Sequence, residues 1–275
     1  MKIHPRAKLA FLLLLLAATT IYCLAQGRRY RRDRFGYDDR YGVPVWTNEP
    51  GFEKDVFTFA RVMYSDRGWG RGGGGWDTDY RDADLNLSFR LQQVTSLKVD
   101  PEGTVVQLTD ANLFDYPFIY IVEPGRLEFS REEIEALRKY LLNGGFLMVD
   151  DFWGEREGNN LYDEMRRVFP NRDQVELPLD HPIFNGVITL PIRPQIPGVG
   201  AFLGSGLSYE RWDATEVHYK GIFDDKNRMM VVICHNTDLG DGWEEERTNP
   251  EYFRMYSEKY AYPLAINILF YAMTH

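Results

Sequence analysis

Cysteine and histidine are scarce in this chain: its 275 residues hold two cysteines, Cys23 and Cys234, and five histidines. No disulfide framework can be built from so few thiols. Neither Cys-x-x-Cys nor His-Glu-x-x-His occurs, which removes the familiar zinc-ligand spacings. There is no internal repeat, so a solenoid or propeller is not expected. Basic residues are also in short supply after position 50. Residues 1–50 hold 9 Lys+Arg and 4 Asp+Glu, leaving 23 basic against 37 acidic residues and a formal charge of −14. Such a field repels nucleic acid and polyphosphate, and leaves a cation or a neutral polyol as the easier ligand.

The amino terminus does carry positive charge. Lys2, Arg6 and Lys8 precede the apolar run Leu9 to Ala18, and Cys23-Leu-Ala25 offers small residues for cleavage before Gln26. Residues 1–25 therefore read as a secretory signal peptide, with an uncleaved membrane anchor as the alternative. Export to the periplasm or the medium is expected, with membrane contact only through an uncleaved segment. Cleavage would leave Cys234 alone, so no intramolecular disulfide would form despite an oxidising destination. Residues 26–50 begin with an Arg/Tyr-rich stretch lacking apolar periodicity and read as a flexible linker. Residues 51–275 then form a single domain, long enough to bury a sizeable core.

Within that domain, apolar runs twice end abruptly in ionisable residues. Met229 to Ile233 is followed by Cys234-His-Asn-Thr-Asp-Leu-Gly-Asp-Gly-Trp-Glu244, and Phe146-Leu-Met-Val149 by Asp150-Asp-Phe-Trp153. Short unbroken apolar runs fit strands buried on both faces, and ligands collect at the carboxyl ends of such strands. Asp150, Asp151, Trp153, His235, Asn236, Asp238, Asp241, Trp243 and Glu244 are accordingly the candidate ligand-binding residues. Further strands are expected over 56–64, 105–108, 118–122 and 216–223, and helices over 80–94, 130–142, 161–168 and 262–273. Ser130-Arg-Glu-Glu133 is a capping box, and Gly144-Gly145 stops the helix it starts. This alternation predicts an α/β fold: a three-layer sandwich with a mostly parallel central sheet.

Five ordered phrases carry a resemblance. Phe59-Ala-Arg-Val-Met-Tyr64, Trp76-Asp-Thr-Asp-Tyr80, the stretch Leu137 to Trp153, Asp180-His-Pro-Ile-Phe184 and the stretch His235 to Glu244 resemble the exported bacterial family called domain of unknown function 4159. The resemblance covers roughly residues 55–275. It implies a flavodoxin-like fold similar to class I glutamine amidotransferases, and no established activity. The phrase at Asp180 is also similar to one in trehalose-utilisation proteins, which points the ligand toward carbohydrate.

The amidotransferase nucleophile is not matched. Cys234 lies between Ile233 and His235 without the small residues of a strained elbow, and reads as a buried structural thiol. Ser205, between two glycines, reads as part of a loop, and His218 as a structural residue of a strand. Gly70-Arg-Gly-Gly-Gly-Gly75 satisfies a G-x-G-x-x-G pattern, yet Asp77, Asp79, Asp82 and Asp84 follow it. Those acids repel phosphate and read as caps of the next helix, so no nucleotide cofactor is expected and the glycines read as a mobile surface loop.

Asp150, Asp151, His235 and Asp238 could ligate a divalent metal, or serve as acid and base. Trp153 and Trp243 could stack on sugar rings. Two readings remain: a non-catalytic ligand-binding or assembly module of the cell envelope, meeting a small ligand or protein partner, or a hydrolase, metal-assisted or not, acting on carbohydrate or a cell-wall component.

Overall fold

The computed structural model describes residues 40, 42–51, 55–66 and 75–275. The expected signal peptide, Cys23, most of the linker and the glycine run before Gly75 lie outside them. The chain divides into the units Met1–Gly42 and Val43–His275, and the second carries the fold. Residues 43–50, read above as linker, pack on this unit. Val43 is buried, the Trp46 indole N–H donates to the Val99 carbonyl at 2.8 Å, and its ring lies 5.8 Å from Phe89. Two isolated apolar residues show no periodicity, which is why composition alone assigned them to the tether. Among the described residues no helix is long and apolar enough to cross a membrane.

Seven strands form one sheet: β1 (Ala60–Val62), β2 (Thr104–Val106), β3 (Phe118–Val122), β4 (Phe146–Asp150), β5 (Val175–Glu176), β6 (His218–Phe223) and β7 (Met229–His235). Their order is β2-β1-β3-β4-β7-β6-β5. The first five in that order run parallel, β6 pairs antiparallel to β7, and β5 pairs antiparallel to β6. The reversal follows from chain length, because the few residues between Phe223 and Met229 allow a hairpin but no crossover. Asp224 closes that turn, its Oδ1 accepting the Lys226 and Arg228 N–H groups at 2.8 and 2.9 Å. The expected strands at 118–122 and 146–150 are matched residue for residue and lie inside the sheet.

Alternating side chains divide the core. Phe118, Tyr120, Val122, Phe146, Met148, Val232 and Cys234 face one side. There they meet α1 (Asp82–Val94) and α7 (Tyr262–Thr274). Ile119, Ile121, Leu147, Val149, Val231 and Ile233 face the other, under α2 (Arg131–Leu142) and α3 (Gly154–Val168). Helices thus cover both faces of the sheet, as continuous apolar strands require. The capping box of α2 is present, with Glu133 N–H to Ser130 Oγ at 3.1 Å and Ser130 N–H to Glu133 Oε2 at 2.7 Å.

Helix α3 begins seven residues earlier than its apolar stripe suggests. Its first turn, Gly-Glu-Arg-Glu-Gly, carries no apolar signal and is capped by groups distant in sequence. Asn236 Oδ1 accepts the Gly154 N–H at 2.8 Å, and Asp213 Oδ2 the Glu155 N–H at 3.1 Å. The short helices α4 (Pro182–Asn185), α5 (Val199–Ser205) and α6 (Leu239–Glu244) were also not anticipated, being shorter than two turns of periodicity. Ser205 closes α5 rather than sitting in a loop, its hydroxyl donating to the Ala201 carbonyl at 2.9 Å.

Candidate functional site

A pocket of about 370 Å³ opens at the carboxyl edge of the sheet, lined by residues that follow β1, β3, β4 and β7, among them Asp79, Glu123, Asp151, Asp238 and Asp241. None of its described lining residues is a Cys, Ser or His. The chain order reverses between β1 and β3, which pair with each other while their next neighbours lie on opposite sides. Ligand crevices of open α/β sheets form at such a switch point.

Asp79 is held there by Arg61, a fully buried guanidinium in the middle of β1. Arg61 Nε donates to both Asp84 oxygens at 3.0 Å, and its Nη1 donates to the carbonyls of Trp76 and Thr78 at 3.1 and 2.7 Å. Burial pushes the Asp84 carboxyl upward against the pull of the Arg61 charge. Asp84 therefore does not cap α1, as its position in sequence suggested. It anchors the arginine that ties down the turn before Asp79. Helix α1 has Arg81 at its N-cap and no side-chain cap.

Glu123 is fixed by Tyr64, whose hydroxyl lies 2.8 Å from both the Val122 and Glu123 carbonyls. Asp151 Oδ1 accepts the Trp153 indole N–H at 3.0 Å. Asp238 Oδ1 accepts the Asp241 N–H at 2.7 Å and so caps α6. Asp241 Oδ2 in turn accepts the Val199 N–H at 2.6 Å. Asp79, Glu123, Asp151 and Asn236 all have positive φ, between 48° and 61°. Asp and Asn enter this region with modest strain, a longer residue such as Glu with more. Such backbone gathers at ligand sites, where surrounding structure holds it in place.

One ligand atom each from Asp79, Asp151 and Asp238 lie within 4.8 Å of one another, and the same holds for Asp79, Asp241 and Glu244. Burial is the first cause raising the carboxyls of Asp79, Asp151 and Asp238 well above their usual range, and repulsion by neighbouring carboxylates adds to it, foremost Asp241 and Glu244 on Asp79, Asp79 on Asp151 and Asp151 on Asp238. Glu123 is pushed up to about 7 by burial and by Glu157, and Glu244 to about 8 by burial and by Asp241. These carboxyls resist ionising together. A bound cation reverses that balance by supplying the largest local charge, and an all-oxygen donor set suits a hard divalent ion.

Several residues read from the sequence as one site are separated by the fold. Asp150 turns into the core, where its Oδ2 accepts the N–H groups of Leu239 and Gly240 at 2.9 and 3.0 Å and the Tyr120 hydroxyl at 3.1 Å. Burial lifts its pKa to about 7 against those hydrogen bonds. His235 faces the α3 side, its Nε2 donating to the Gly154 carbonyl at 3.0 Å and its ring stacked 4.7 Å from Phe152. It lines a different cavity with Gly158, Tyr162 and Lys220. Burial, foremost, lowers His235 to about 4, so the ring is neutral at pH 7. Asn236 joins backbone segments, accepting from Gly154 and donating to the Glu216 carbonyl at 2.7 Å.

Neither tryptophan offers a free face for a sugar. Trp243 is fully buried between Phe59 and Tyr120, and Trp153 is 3% exposed. Cys234 is a free, buried thiol that burial pushes well above its usual range, so it is no nucleophile. His218 sits on β6, 3.2 Å from Glu176. Of the residues singled out by sequence, Asp151, Trp153, Asp238 and Asp241 line the pocket, and Glu244 adjoins it. Asp79, Glu123 and Glu210 line it too and were not predicted as ligands. The one available signal for Asp79 was its place among four closely spaced acids, read there as helix caps.

A family model described as a domain of unknown function, DUF4159, matches residues 58–273 and thus spans the whole pocket. No curated protein matches the chain.

Proposed function

The chain belongs to the DUF4159 family, and since that description names no activity, we propose from the pocket itself that this is a ligand-binding module of the cell envelope working through a divalent cation. The observation that carries the reading is the meeting of Asp79, Asp151 and Asp238 within 4.8 Å at an open pocket. Export is part of the proposal and is supported by the cationic and apolar segments before Gln26. A flavodoxin-like, amidotransferase-related ancestry is supported by the parallel order β2-β1-β3-β4-β7, which follows the 2-1-3-4-5 pattern with β7 in fifth place. The absence of Cys, Ser and His from the described lining favours binding over nucleophilic catalysis.

Calorimetric titration of the chelator-treated mature chain with Mn²⁺ and Ca²⁺ tests the reading. Binding in the micromolar range is expected, weakened at least about 10-fold by Asp151→Asn or Asp238→Asn, by analogy with the losses that accompany disturbed ligand sets. No heat and no thermal stabilisation at millimolar cation would overturn it.

A second reading, metal-assisted hydrolysis of a carbohydrate or cell-wall component, is favoured by Glu123. A carboxyl held near 7 by burial is poised as an acid or base at neutral pH. Release of soluble fragments from purified cell wall by the Mn²⁺-loaded protein, lost in Glu123→Gln, would establish it.

A further inference from the structure

We infer that the pocket takes two divalent cations, with Asp79 as the ligand they share; this rests on the cation reading above and extends it. Asp79 alone belongs to both carboxylate triads, one with Asp151 and Asp238 and the other with Asp241 and Glu244. A carboxylate has two oxygens, so a single residue can serve two ions, and paired sites elsewhere hold their metals about 3.5–4 Å apart.

An independent observation singles out the same side chain. Asp79 Oδ2 is buried and has no hydrogen-bond partner among the described residues. Leaving a buried acceptor unpaired is costly, the more so for a charged group, a cost that coordination offsets. Gly240 lies against this oxygen, and a Cβ there would overlap it, so the backbone of α6 makes room for the carboxylate. The left-handed φ of 59° at Asp79 is compatible with this inward aim, and Arg61 fixes the preceding carbonyls of Trp76 and Thr78.

Charge points the same way. The two triads comprise five different carboxylates. The arginines of the lining, Arg126, Arg156 and Arg211, act on three further carboxylates, Glu123, Glu157 and Glu210, so of the five in the triads one divalent ion balances two and two ions balance four. Every donor is a carboxylate oxygen, which selects hard cations such as Mg²⁺, Mn²⁺ or Ca²⁺ over thiolate-seeking metals.

The test is Mn²⁺ titration of the chelator-treated mature chain, read by calorimetry for stoichiometry and by electron paramagnetic resonance for coupling. Two equivalents with an exchange-coupled spectrum are expected. Glu244→Gln should keep one equivalent and show an isolated six-line signal, and Asp79→Asn should weaken both equivalents at least about 10-fold. Melting curves establish that each variant is folded; if Asp79→Asn is not, Glu244→Gln decides. One equivalent unaffected by Glu244→Gln, or two magnetically isolated ions, overturns the shared-ligand inference while leaving the cation reading intact. No binding at millimolar Mn²⁺ overturns both.

Discussion

The rim of the sheet holds two pockets built on opposite principles. In the pocket beyond the strand ends, carboxylates crowd together and burial drives their pKa values up. On the α3 side, His235 stacks on Phe152 and burial drives its pKa down to about 4. Both arise from strand ends that pair directly, β4 with β7. Cys234 and His235 diverge because successive side chains leave a strand on opposite faces, whereas Asp150, the last residue of β4, enters the core and Asp151, just beyond it with a φ of 55°, lines the pocket. Chemical type at a strand end is therefore a poor guide to which residues meet. Direction and the nearest unpaired donor decide it.

The strongest way to break the comparison is to remove Arg61. It is a buried cation whose partners are Asp84 and two carbonyls of the turn leading into Asp79. Taking one member from a buried ion pair strands the other, at about 3–5 kcal/mol. Arg61→Met should lower chemical-denaturation stability by that amount and abolish cation binding at the acid pocket, with the environment of His235 unchanged by NMR. An Arg61→Met protein as stable as wild type would deny the arginine its anchoring role.

The second prediction sets the buried carboxyls against His235 through pH. Asp150 has a folded pKa of about 7 against an ordinary 3.8. A raised carboxyl contributes stability that is full below the ordinary value and lost as pH rises through the folded one, about 1.36 kcal/mol per unit. For this buried group that is on the order of 4 kcal/mol between pH 4 and 8. Glu123, also held near 7, acts in the same direction. His235 opposes it, because its lowered pKa contributes stability that is full above 6.5 and lost as pH falls through about 4. Since the carboxyls outnumber this histidine, the metal-free protein should melt at a higher temperature at pH 5 than at pH 8, and saturating Mn²⁺ should flatten or invert the trend. A metal-free melting temperature that falls steadily with acidification would mean the carboxyls are ionised as they stand.

How far the sequence could be read follows the same division. Strands β3 and β4, the α2 capping box and the glycine stop at Gly144 were legible because each signal is local: five apolar residues in a row, or a Ser and a Glu three apart. The start of α3 was hidden, since its caps come from Asn236 and Asp213, far away in sequence. The candidate site was half legible. Asp151, Asp238 and Asp241 stood out as acids after apolar runs, but Asp79 is positioned by Arg61, whose burial in β1 no local pattern signals. Asp150 and Asp151 look equivalent in one dimension, and what separates them is that Leu239, Gly240 and Tyr120 present three donors to the first.

That pair gives the third prediction. At pH 5, below the folded pKa of Asp150, Asp150→Ala leaves two backbone N–H groups and a tyrosine hydroxyl buried without their acceptor, and should destabilise the protein by about 1–3 kcal/mol. Asp151→Asn keeps an oxygen for the Trp153 indole and removes a charge that its neighbours oppose. In chelator it should match or exceed wild-type stability while its cation affinity falls. Equal stability losses in the two variants, measured by urea denaturation, would erase the distinction between adjacent aspartates.

The smallest effect belongs to His235, and it is informative because it is small. The side chain makes one hydrogen bond to the Gly154 carbonyl and ring contacts with Phe152 and His218, at a pocket that shares no described lining residue with the acid cluster. His235→Gln retains a donor for Gly154 and loses the stacking, so a cost of about 1 kcal/mol is expected. Mn²⁺ affinity should stay within about 2-fold of wild type, because neither imidazole nitrogen reaches the carboxylates. The low-pH gain in melting temperature should grow, since a group that opposes it has been removed. A 10-fold loss of cation affinity in His235→Gln would mean that the two pockets are coupled across β7, and that the separation of imidazole from carboxylates seen in the fold does not describe how the site works.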